Sequence, residues 1–189
     1  MKKILEKSQA RHRGWPFPFM RSEDESMLST CYQSITIVDR VPKYEGFRFY
    51  ESGLFYWKAA MWENVEAGYS EKTLSYISAN WQITEMLLFI KRIYEETLSP
   101  QDRIYLELKL GGCQGRYLVG DHGERAVYVN CAEDTITIED NFNCAQLKAS
   151  WQEFARKYIK RVYTIFGANE TSDNSILEQQ NKLLKMKMI

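Results

Sequence analysis

Histidine is nearly absent from this sequence. The two present, His12 and His122, stand far apart, and no Cys-x-x-Cys pair accompanies them. The ligand spacing of the common zinc modules is therefore missing. Cys31, Cys113, Cys131 and Cys144 are scattered, and reduced thiols are the expected state. No metal and no cofactor is expected. Net charge is missing too, with 25 Lys+Arg against 25 Asp+Glu. That balance provides no bulk field to hold a duplex or an anionic membrane. No apolar run reaches the roughly 18 residues of a membrane span. The opening "MKKILEKSQARHRGW" lacks the apolar centre of a signal peptide. These absences predict a cytoplasmic protein without a membrane partner. Proline is rare, at four in 189 residues, yet Pro16 and Pro18 share one short aromatic stretch.

What is present suits a packed domain, since 44% of the residues are hydrophobic and 14% aromatic. Residues 1–10 predict a short helix with Ile4 and Leu5 as its contacts, stopped by Gly14 and Pro16. The stretch Trp15-Pro16-Phe17-Pro18-Phe19 predicts an extended segment that pins this helix to the body. Residues 21–29 read as a loop. "SITIVD" alternates as a strand, and "GFRFYESGLFYWKAA" reads as two strands turning near Gly53. Ser70 is expected to cap a long helix over 71–98, ended by Pro100. "RIYLELKLGG" alternates most cleanly, with Ile104, Leu106, Leu108 and Leu110 on one face. "RYLV", "AVYVN" and "TITIE" read as short strands. A second long helix is predicted over 145–166, with Gly167 past its end. A polar linker and a capping box at Ser175–Glu178 would open a last helix.

The expected fold is therefore α+β: a mostly antiparallel sheet against two long helices, with accessory helices at either end. Residues 1–167 form one domain in this reading. Residues 168–189 form a linker and a loosely tethered helix through which copies of the chain could associate.

Candidate chemistry is sparse. "LGGCQGRYLVG" is glycine-rich but has no Gly-Lys-Ser/Thr and leads into a strand, which predicts a turn rather than a phosphate loop. Cys113 or Cys131 with His122 would be a nucleophilic pair only if the fold joined them; buried thiols are expected. Glu23/Asp24 and Glu139/Asp140 read as solvated acids in loops. Arg156, Lys157, Lys160 and Arg161 fall on one helix face, where they could meet a nucleic-acid backbone or simply face solvent. Arg11 or Arg13 beside Trp15, and Arg116 after the glycines, are candidate anion or ligand contacts.

"QARHRGWPFPF" followed by "LELKLGGCQGRYLV" resembles the C-terminal region of bacterial proteins whose N-terminal part is an AlbA-type, Schlafen-like ATP-binding or DNA-binding domain. The matching positions are Arg11, Gly14, Trp15, Pro16 and Phe17, the aromatic stretch over 47–62, then Gly112, Gly115, Arg116 and Leu118. They span most of residues 5–166. The chain departs from that pattern by starting almost on the first motif, as a separately encoded version or an excised piece would. The resemblance implies a non-enzymatic sensing or protein-interaction module of bacterial regulation or defence, working with an ATP-binding or DNA-binding protein. It supplies no catalytic residues. Arg11, Trp15 and Arg116 are its expected contacts. The alternative is a nucleic-acid-binding module using Arg156, Lys157, Lys160 and Arg161.

Overall fold

The computed structural model describes residues 2–13, 16–18, 26–31, 34–39, 45–50, 52–64, 72–120 and 129–186. The fold is α+β, as expected, but its strands form several short sheets rather than one. Strands β3 (Ser26–Cys31), β4 (Ser34–Asp39), β5 (Glu45–Tyr50) and β6 (Phe55–Ala59) make an antiparallel meander. Residue 26 onward is thus strand where a loop was expected, because its backbone pairs with β4 from Ser26↔Asp39 to Cys31↔Ser34. The turn between β5 and β6 uses Gly53 at φ +86°, as its position suggests. Phe47 and Phe49 point inward and Arg48 outward, the alternation that a half-buried strand requires.

At the N-terminus, α1 (Lys2–Ser8) buries Leu5. Next, β1 (Ala10–Arg11) and β2 (Pro16–Phe17) pair as a small hairpin. The aromatic anchor is Phe17, buried against the rings of Trp57 at 5.2 Å and Phe89 at 6.0 Å. Trp15 and Phe19 lie outside the described residues.

The centre of the molecule is α2 (Tyr76–Thr97). Every residue from Ile83 to Ile90 is buried, polar Thr84 and Glu85 included. The helix starts later than expected, for a reason in the preceding residues. Strand β7 (Thr73–Ser75) pairs in parallel with β9 (Tyr117–Val119), and Ser75 caps α2 by accepting from the Ser78 N–H at 3.2 Å. Ser70 and Glu71 lie outside the described residues.

Strands β8 (Arg103–Gly111) and β10 (Thr135–Asn143) form a long antiparallel pair, register Arg103↔Asn143 to Gly111↔Thr135. Their inner rows are Ile104, Leu106 and Leu108 on β8, and Ile136, Ile138 and Phe142 on β10. Glu139 and Asp140 are therefore strand residues, not loop residues. "AVYVN" falls largely outside the described residues, and Val129 and Asn130 are not in a strand.

Helix α3 (Cys144–Ile165) opens on a capping box between Asn143 and Gln146 and is kinked at Ser150. Its apolar stripe of Leu147, Tyr158, Ile159 and Val162 is fully buried. Gly167, at φ +81°, turns the chain out of α3, and the Ala168 N–H closes the turn onto the Tyr163 carbonyl at 2.8 Å. The last helix, α4 (Asp173–Lys185), is capped by Ser172 rather than by Ser175. It is docked on α2 and α3. Ile176, Gln180 and Leu183 are buried against α2 and α3. Amide and indole groups line the seam. Asn80 Nδ2 donates to the Ile176 carbonyl, Trp81 Nε1 to that of Gln179, and Gln180 Nε2 to that of Gln152, at 3.2 to 3.3 Å.

Candidate functional site

The basic residues of α3 stand on its outer face after the Ser150 kink. Arg156 and Lys160 make one i,i+4 row; Lys157 and Arg161 make the next. All four line an open groove of about 710 Å³, whose other wall is Thr137, Ile138 and Glu139 of β10. The first turn of α4 adds Asp173, and α3 also adds Glu153. Three carboxylates thus stand among four cations.

Most of those cations already have an acid. Lys157 Nζ donates to Asp140 Oδ2 at 2.8 Å, and the buried Tyr158 hydroxyl donates to the same oxygen at 3.0 Å. Asp140 takes an inward position of β10, between Ile138 and Phe142, where the alternation calls for an apolar residue. Partial burial pushes its carboxyl up, but Lys157, Tyr158 and the Asn141 N–H together hold it below the usual carboxylate range. Burial, with Asp140 beside it, pushes the Tyr158 phenol up. In the other row, Lys160 Nζ hydrogen-bonds Asp173 Oδ1, and Arg156 Nε lies 3.9 Å from Oδ2. The Lys160 bond holds Asp173 below its ordinary value. Arg161 makes no ion pair among the described residues.

Arg116, expected as an anion contact, is buried and spends its guanidinium on the fold. Nε donates to the Gly112 carbonyl at 2.6 Å, one terminal nitrogen to the Thr73 carbonyl at 2.8 Å, and the other to Asn64 Oδ1 at 2.7 Å. It fastens the glycine turn to β7. Glu63 completes this cluster, taking the Ser75 N–H at 2.7 Å. Burial raises the Glu63 carboxyl, against the pull of those backbone donors and Arg116.

Arg11 is exposed and donates to Gln9 Oε1 at 2.8 Å. It does not share a site with Arg116. Arg13 meets Glu85 and the Gln9 carbonyl meets Arg92. These points lie roughly 14 and 24 Å along α2 from Tyr76, at 1.5 Å per residue, whereas Arg116 sits at the Tyr76 end. Trp15, the third expected contact, lies outside the described residues.

Cys113, Cys131 and Cys144 are free and buried, and burial pushes Cys113 up to about 11. His122 lies outside the described residues. Among the described residues no three His, Cys, Asp or Glu gather as a metal site, and no helix is long and apolar enough to cross a membrane.

The helical period finds the basic rows in sequence. It cannot find Asp140 and Asp173, which reach those rows from another strand and another helix. No family model, curated protein or solved structure matches the chain, so the groove stands on its own geometry.

Proposed function

We propose that this protein is a non-enzymatic protein-interaction module whose contact surface is the groove between β10 and α3. The observation that carries this reading is the groove's mixed lining, four cations with three carboxylates among them. A partner protein can offer acids and bases in complementary positions, which gives specificity and register. A nucleic-acid backbone offers phosphates alone, and here they would lie beside Glu139, Glu153 and Asp173. The zero net charge supports the same choice. The resemblance adds the setting: bacterial regulation or defence, with an ATP-binding or DNA-binding protein as the partner.

The test is co-purification with a protein carrying an AlbA-type, Schlafen-like ATP-binding or DNA-binding domain. The wild type should hold that protein, and the double variant Lys160→Glu, Arg161→Glu should lose it while unfolding at the same temperature. Equal recovery by both would remove the groove from the reading. Salt-sensitive binding to an oligonucleotide, reduced by Lys160→Ala, would put the nucleic-acid function in its place.

A further inference from the structure

Asp173 differs from the other carboxylates of the groove. Glu139 and Glu153 belong to its walls, whereas Asp173 arrives on a separate helix, joined to α3 through the Gly167 turn. Its carboxylate rests on Lys160 and Arg156 in an exposed position, with 55% of the side chain accessible. The neighbouring row is filled at its Lys157 end by Asp140, and its Arg161 end makes no described ion pair. The site therefore shows one carboxylate seated from α4 and an open cation one helical step away.

From this we infer that Asp173 holds the place of an incoming Asp or Glu, so that the groove takes an acidic peptide segment of a partner protein and the first turn of α4 competes with it. This deepens the groove reading and rests on it. The grip favours a carboxylate over a phosphate. Lys160 makes a single point contact, and Arg156 presents Nε at 3.9 Å rather than a two-pronged fork. Glu139 and Glu153 would also repel a doubly charged phosphate more than a singly charged acid. The partner segment meets Arg161 first, then displaces Asp173 from Lys160 and Arg156.

Fluorescence anisotropy with a fluorescein-labelled peptide of alternating Glu and Gly tests this on the full chain. Asp173→Asn should bind the peptide about two- to fivefold more tightly than wild type, the factor one exposed ion pair is worth. Asp173→Glu, which keeps the competing charge, should bind like wild type. Arg161→Glu should bind more weakly by at least the same factor. Hydrogen exchange at the α4 amides reports whether α4 stays docked in each variant. With α4 docked, unchanged affinity in Asp173→Asn overturns the competition, while weaker binding by Arg161→Glu would still support the groove. If the peptide does not bind at low salt but the partner still co-purifies through Lys160 and Arg161, the acidic-peptide inference falls and the groove reading survives. Tighter binding to an oligo-dT strand than to the peptide would overturn both.

Discussion

Arg13 reaches from the N-terminal segment to Glu85 in the middle of α2, placing Nε 2.8 Å from the carboxylate oxygen Oε2. Glu85 has no exposed side-chain surface, and Arg13 is 14% exposed. The segment after β1 is thus fastened by a buried ion pair as well as by Phe17. Removing one member of such a pair strands the other in a poorly solvated place. Arg13→Ala should destabilise the fold by about 3 kcal/mol in urea unfolding. A loss below about 1 kcal/mol would show that Glu85 is adequately satisfied without the guanidinium.

Arg116 bridges three acceptors that no single ammonium can reach at once. Lysine keeps the charge but not the fork. Arg116→Lys should therefore cost about 2–3 kcal/mol, since buried acceptors lose their donors. A ligand-binding arginine exchanged for lysine would leave the melting temperature unchanged, so thermal unfolding separates the two roles.

Glu63 makes part of the stability pH-dependent. Its folded value is raised above the ordinary 4.5 by burial, so the folded state keeps this proton longer than the unfolded chain does. The associated stability is complete below about 4.5 and is lost as pH rises through the raised folded value. Glu63→Gln should remove that decline. Urea unfolding of the two proteins from mildly acidic pH to neutrality measures it, and parallel curves would refute it. Asp140 works in the opposite sense. Its folded value is lowered from 3.8, so its contribution is present above that point and fades as pH falls through the lowered value.

Asp140 also supplies the acceptor for a phenol with no exposed surface. Asp140→Ala should cost about 1–3 kcal/mol, the penalty for a buried hydroxyl left without a partner. Asp140→Asn, which retains an acceptor oxygen, should recover part of that loss. Equal costs for the two would assign the effect to Lys157 instead.

Much of this architecture is written locally. The alternation in Ile104, Leu106 and Leu108, the spacing of Leu147, Tyr158 and Val162, and the glycine past α3 all report on neighbours a few residues away. Strands β3 and β7 are harder to read because pairing defines them. Ser26 to Cys31 lacks a clear apolar alternation, and three residues of β7 are too few to show a period. The start of α4 is hard to place for a related reason: Ser172 and Ser175 are both good caps, and burying Ile176 and Leu183 together decides between them. At the groove, the cations follow a helical repeat and are visible. Their acids are not, because Asp140 and Asp173 are brought in by tertiary packing. Arg116 shows the same limit, since a sequence does not record whether a guanidinium faces a ligand or the carbonyls of its own turn.

The amide seam under α4 sets the order in which the molecule loosens. It is held by side-chain amides and one indole at 3.2 to 3.3 Å and by few buried apolar groups, whereas α2 is wrapped in hydrocarbon. Hydrogen exchange should accordingly release the amide protons of α4 well before those of α2. The carboxyl-terminal helix would then be a reversible fastening, able to lift and reseat while the aromatic interior stays closed.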